Sequence, residues 1–349
     1  MGYPAFFVLG DSLVDVGNNN YIASLAKANN IPFGIDFIGR KPTGRFTNGR
    51  TIHDIIGQEL GLKDFIPPYL DPTTVGDVVF HGVNYASAAA GILNDTGNNY
   101  GGRINMNAQL DNFANTRQDI ISRIGGPAAT SLLEKALFSV SIGANDFLNF
   151  YLLTDTTFGS SPAQQKPTDS PETFVDTLIS RYRLQLTRLY NLDARKIVVA
   201  NIGPIGCTPY QRDQNPSSTD FCVTSANQLA TLFNDRLKNL VKELSSSLVG
   251  SKFVYADGYR ILLDIIENFQ SYGFENYNSG CCHLVGRYGG LVPCISISSV
   301  CQNRSKYVFW DSYHPSDAAN VIIAKRLLDG DSNDIYPINF RQLFNDQAS

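Results

Sequence analysis

Ala5-Phe6-Phe7-Val8-Leu9-Gly10-Asp11-Ser12-Leu13-Val14-Asp15-Val16-Gly17-Asn18-Asn19-Asn20 runs from an apolar block through a glycine to a serine. A short apolar block rich in aromatic and β-branched side chains suits a strand covered on both faces. Gly10 ends the block, and Asp11-Ser12 open a turn or a helix. The Ser12 hydroxyl is thereby expected at the carboxyl end of a strand, where open α/β sheets bind ligands. Two roles fit a serine there. It can cap a helix, as Ser and Asp often do between strand and helix, or it can be a nucleophile.

The far end of the chain bears on that choice. Phe309-Trp310-Asp311-Ser312-Tyr313-His314-Pro315-Ser316 sets a carboxylate three residues before a histidine, just ahead of a helical run from Ala318 to Leu328. A serine nucleophile needs a base for its proton, and the base needs a partner that fixes its tautomer and stabilises the imidazolium. Ser12, Asp311 and His314 supply all three, in chain order Ser, Asp, His. Singly they read as a cap, a turn residue and a helix-start histidine; together they favour the catalytic reading.

Gly10-Asp11-Ser12-Leu13 near the amino terminus and Asp311-x-x-His314-Pro315 near the carboxyl terminus resemble the GDSL esterase/lipase family of the SGNH hydrolases. The longer text from Gly10 to Asn19 and the later Gly44-Arg45-Phe46-Thr47-Asn48-Gly49-Arg50 are similar to its plant branch. The match extends from Phe7 to about Leu328. Leu9, where the family often has Phe, is a packing position, and His283, where the plant branch usually has glycine, is expected at the surface. The resemblance implies one flavodoxin-like α/β/α sandwich with a five-stranded parallel sheet, a single domain over residues 1–349. It implies a carboxylic ester hydrolase working through an acyl-serine, with no metal and no organic cofactor. Ser12, Asp311 and His314 would be the catalytic residues. The oxyanion would be held by the Ser12 and Gly91 backbone N–H groups and the Asn145 side chain. Ala89 rivals Gly91, because related motifs often carry glycine there and a backbone donor does not require one. In residue terms alone, Ser87-Ala88-Ala89-Ala90-Gly91 suits close backbone approach to a ligand and tight helix–strand packing equally well. Asp146 reads as a helix-start residue.

Further strands are expected at Val78–Ala86, Ala136–Ile142, Lys196–Ile202 and Lys252–Tyr255. Helices are expected at Ile52–Leu60, twice within Asn107–Lys135, and at Glu172–Tyr190, Thr224–Leu248 and Tyr259–Phe269, with weak periodicity from Tyr21 to Ala28. Thr154–Ser170 and Tyr272–Lys306 read as loops. Such alternation argues a doubly wound parallel sheet with helices on both faces. A conventional α/β-hydrolase would carry Gly-x-Ser-x-Gly in mid-chain. Here the serine follows the first strand and Val14 stands two residues on, so that fold is rejected. His53 and His81 read as core or surface histidines.

The chain has 349 residues, 43% of them hydrophobic, and a formal net charge of −4. No basic cluster offers a nucleic-acid surface, and no apolar run reaches the length needed to span a bilayer. A monomer is expected. Met1-Gly2-Tyr3-Pro4 carries no leader, which by itself suggests a cytosolic protein, whereas the cysteines favour a mature secreted form of the apoplast or cell wall. There are six cysteines, all in the second half. Adjacent Cys281-Cys282 lacks the spacing of a structural zinc site. Disulfides are expected instead: Cys207 with Cys222, and Cys281 and Cys282 with Cys294 and Cys301 in either order. Asn94-Asp95-Thr96 and Asn303-Arg304-Ser305 are glycan acceptors in that setting. An acyltransferase, resolving the same acyl-enzyme with an alcohol, is the alternative activity, and a non-catalytic binding protein on the same fold is a third. Lipid, cutin-like polyester, acetylated polysaccharide and small-molecule esters all remain open as substrates.

Overall fold

A computed structural model describes residues 4–153, 167–216 and 221–346. Most of the expected loop 154–170 lies outside the described residues. The strand β1 (Phe6–Gly10) is buried at every position, as a strand covered on both faces must be. It pairs in parallel with β2 (Leu137–Ser141), β2 with β3 (Lys196–Ala200) and β3 with β4 (Lys252–Ala256). Side chains alternate faces along these strands. Phe7, Leu9, Phe138, Val140, Ile197, Val199, Phe253 and Tyr255 form one core, and Phe6, Val8, Leu137, Val198 and Val254 belong to the other.

Helices cover both faces, as expected. Buried side chains of α2 (Met106–Ile124), α3 (Gly126–Lys135), α5 (Pro171–Asn191) and α7 (Thr224–Ser247) fill the first core. Those of α1 (Ile52–Glu59), α8 (Gly258–Glu267), α9 (Asp317–Asp329) and α10 (Phe340–Asn345) fill the second. Two short helices, α4 (Ala144–Asp146) and α6 (Pro209–Gln214), follow the carboxyl ends of β2 and β3. Local caps set several starts: Thr51 and Asp54 form a reciprocal capping box on α1, and Ser170 caps α5, whose first residue is Pro171.

The sheet has five strands and is mainly parallel, but its fifth member differs from the one expected. Val78–Ala86 is not a strand. Gly76–His81 is a 3₁₀ turn bracketed by Gly76 and Gly82, both at positive φ, which leaves too little extended chain for a ladder. The remainder runs beside β1 and touches it through Val8 N–H to Val83 O, Tyr85 N–H to Val8 O and Ser87 N–H to Gly10 O. The fifth strand is an antiparallel edge pair on β4, Ile335–Tyr336 (β9). The weak periodicity from Tyr21 to Ala28 yields no helix either, only a 3₁₀ turn at Asn18–Tyr21 and a bridge at Ser24.

The cysteine-bearing segment is more ordered than a loop. Asn276–Gly280 (β5) pairs with Tyr307–Phe309 (β8), and Cys282–His283 (β6) with Ser299–Val300 (β7). All six cysteines are bridged: Cys207–Cys222, Cys281–Cys301 and Cys282–Cys294. No helix among the described residues is long and apolar enough to cross a membrane.

Candidate active site

Ser12 follows β1 in a turn and caps no helix; its hydroxyl instead meets His314, with Oγ 2.8 Å from Nε2. On the other side of the ring, His314 Nδ1 lies 2.8 and 2.9 Å from the two Asp311 carboxylate oxygens. The residues brought together are 302 positions apart in sequence. Asp311 Oδ1 also accepts the Tyr313 and His314 backbone N–H groups, and His314 O accepts the Trp310 N–H, so the loop winds around its own carboxylate. The residues before it are held by the cysteine strands: Cys281 N–H donates to Phe309 O and Cys282 N–H to Trp310 O. Ser12 is half-buried, whereas Asp311 and His314 are 3% and 7% exposed. The imidazole is thus screened from water except toward the serine.

Asn145, at the start of α4 after β2, also reaches the cleft. Its Nδ2 donates to Ala90 O at 3.0 Å and its Oδ1 accepts from Asn149 at 2.6 Å. Those two bonds fix the amide's orientation and leave one Nδ2 hydrogen for a ligand. The Gly91 expectation fares differently. Ala88 and Ala89 line the cleft and Gly91 does not; a Cβ at Gly91 would strike Thr96 and the Asp146 carboxylate. Ala89 sits at φ 65°, in the left-handed region an L-residue enters only under constraint. Among the described residues, neither the Ser12 nor the Ala89 N–H is taken by a protein acceptor.

Several residues outside the expected set build this arrangement. Asp15 accepts the Gly17, Asn18 and Ala88 N–H groups. Asn18 donates to Asn84 O and Ala86 O, and Asn19 to Ala26 O and Ala88 O. The Gly10–Asn19 text is therefore a clamp on the Ala-rich segment as well as the carrier of Ser12. Arg45 grips Asp54 of α1 through two bonds of 2.7 and 2.8 Å, and the next residue, Phe46, lays its ring 5.2 Å from that of His314. Gln109 of α2 binds both backbone groups of Gly10. A polar residue on the apolar stripe Met106, Gln109, Leu110, Phe113 is the signal that could have exposed it.

Three acids beside the cleft are perturbed upward by burial. Asp11 is pushed up to about 7, opposed chiefly by the Leu13 N–H and the nearby His314. Asp15 and Asp146 are pushed up to about 6, each opposed by the N–H or hydroxyl donors around it. Asp146 accepts from Ile92 N–H, Leu93 N–H and the Thr96 hydroxyl, so it anchors the turn after Gly91. His53 is buried with Nε2 2.7 Å from Ser139 Oγ; burial lowers it to about 4. His81 and His283 are exposed.

Residues 6–327 match the model of the GDSL-like lipase/acylhydrolase family. The chain belongs to that family. Two Arabidopsis thaliana GDSL esterase/lipases are similar to it: one is 59% identical over 98% of this chain and 91% of its own length, the other 50% identical over 97% and 90%. The membership makes the protein a carboxylic ester hydrolase. Among solved structures, a phospholipase A1 from Streptomyces albidoflavus NA297 aligns over 91% of this chain and 94% of its own, at 16% identity and a TM-score of 0.39, a likeness too loose to bear on substrate.

Proposed function

We propose that the protein hydrolyses carboxylic esters through an acyl-serine formed on Ser12. His314 Nε2 takes the Ser12 hydroxyl proton as Oγ bonds to the ester carbonyl carbon. It then returns that proton to the departing alkoxide as the carbon–oxygen bond breaks. Asp311 holds the imidazole with Nδ1 protonated and balances the charge it gains. Water, deprotonated by the same nitrogen, releases the acid. The Ser12 N–H, the Ala89 N–H and the free Asn145 hydrogen are the oxyanion donors in this scheme. Ala89 replaces Gly91 because it faces the cleft and Gly91 faces Thr96.

The single observation that carries the proposal is the 2.8 Å approach of His314 Nε2 to Ser12 Oγ, with Asp311 paired behind the ring. Ser12→Ala is the direct test. Turnover of p-nitrophenyl acetate should fall by at least about 10⁴-fold. The melting temperature should stay within a few degrees, because among the described residues the Ser12 side chain hydrogen-bonds only to His314. Substantial residual turnover would remove Ser12 as the nucleophile. We further propose that one domain does this work outside the cell, a reading supported by three disulfides and by the exposure of Asn94 and Asn303.

A further inference from the structure

The cleft does not end at the reacting atoms. It continues beneath the sheet, on the side of α1, α8 and α9, and the outer cleft and this continuation together form one cavity of about 180 Å³. The strand register explains the space. Gly10, Ser141, Ala200 and Ala256 stand side by side across β1 to β4, all on that face. Parallel strands covered by helices normally present Val, Ile or Leu there, and the row one pleat back, with Val8, Val198 and Val254, does so. The row of small residues withdraws from the helices, and Ile52, Leu262, Ile323 and Leu327 roof the gap. The inner end is closed by His53 and Ser139, with Nε2 of the ring 2.7 Å from the hydroxyl. Protein cores are packed to crystal density and a void lowers stability. A gap of this size among otherwise buried side chains, open at Ser12, is a ligand site.

We infer that this cavity takes the unbranched apolar chain of the acyl group, so that the substrates are medium- to long-chain fatty acyl esters. The inference rests on Ser12 as the acyl carrier. Of the two halves of an ester, the alcohol must sit beside His314 Nε2 to be protonated and must leave before water enters. A blind channel suits the half that stays attached. Apart from His53, Ser139 and Ser141, the inner lining is of small and aliphatic side chains, which suits a methylene chain and would leave most hydroxyls of a sugar unsatisfied. One water needs about 10–15 Å³ by the same measure, so the whole cleft has room for about 12–18 water-sized groups, and its inner part, without the outer cleft, for a shorter chain of about ten.

Ser12→Ala protein and linear carboxylates from butanoate to dodecanoate test this by titration calorimetry, which needs no turnover. Affinity should rise about fourfold per methylene and level off near ten carbons. A crystal structure of the decanoate complex should put the chain within about 4 Å of Ala200 and Ala256. In the otherwise unaltered enzyme, Ala200→Leu should lower the kcat/KM ratio of decanoate to acetate ester by about 60-fold, three methylenes' worth. Affinity independent of chain length, a chain lying along Leu25 and Phe46 in the outer cleft, or an unchanged ratio in Ala200→Leu of normal melt would each overturn the inference. Should Ala200→Leu fail to fold, the calorimetry and the complex still decide. Turnover surviving in Ser12→Ala would strike the nucleophile assignment, a separate result from either binding measurement.

Discussion

Asp11→Asn isolates the strain that burial places beside Ser12. Asp11 is 2% exposed, and its carboxylate accepts the Leu13 N–H at 3.1 Å. Burial raises it from an ordinary 3.8 to about 7. At about 1.36 kcal/mol per pH unit, that displacement opposes the ionised folded form by about 4 kcal/mol. Below pH 3.8 the acid is neutral in folded and unfolded chains alike, and there is no penalty. As pH rises, the unfolded chain ionises freely while the folded one holds its proton, so stability is lost from pH 3.8 up to about 7. Asparagine can accept the same Leu13 N–H and never ionises. The variant should therefore melt higher than the parent by an amount that grows with pH. An unfolding entropy of about 2.1 cal/mol/K per residue turns 4 kcal/mol into about 5 °C at pH 8 for a chain of this length. Scanning calorimetry at steps between pH 4 and 8 reads it directly. A difference in melting temperature that does not widen across that range would refute the reasoning, whatever its value at one pH.

Asp311→Asn should cut kcat by about 10⁴-fold, because an amide facing Nδ1 favours the tautomer whose Nε2 carries the proton and cannot accept the serine's; steady-state kinetics with a p-nitrophenyl ester measures it, and a loss under tenfold would clear Asp311 of the role. Asn145→Ala should lower kcat by about 10²–10³-fold with little change in KM, the effect of removing one preorganised donor; an equal loss spread into KM would point to ground-state binding instead. Replacing Cys207 and Cys222 with serine opens a loop of sequence separation 15 and should cost about 3 kcal/mol, seen as a melting point lower by about 4 °C with low-temperature specific activity retained.

The Ser12, Asp311 and His314 cluster was legible because each residue carries its own local mark: a serine after an apolar block, a carboxylate and histidine three apart before a helix. What supports them was not. Phe46 meets His314, and Asn18 and Asn19 hold the Ala-rich segment, through contacts between stretches tens to hundreds of residues apart. Residue spacing within a stretch says nothing about such pairings. Val78–Ala86 misled because its apolar residues do fill a core, Val79, Val83 and Tyr85 among them, while the backbone that carries them is turned by two glycines. The edge strand Ile335–Tyr336 had no readable pattern, since two residues cannot display a period. The resemblance gave Gly91 the oxyanion role, and the segment's path brings Ala89 rather than Gly91 to the cleft.

The separation of 302 positions between Ser12 and His314 also sets an order of events during synthesis. At about 5–20 residues per second, the serine exists for about 15–60 s before its histidine is made. Every strand that leads from one to the other must be in place before the hydroxyl meets a base, and closure over such a span belongs among the slow steps of folding. A nascent or truncated chain ending before Asp311 would carry Ser12 and the small-residue row without the histidine that meets the hydroxyl. On the proposed mechanism, hydrolytic activity thus reports a polypeptide grown past His314, and a shorter chain stays inert beside any ester it meets.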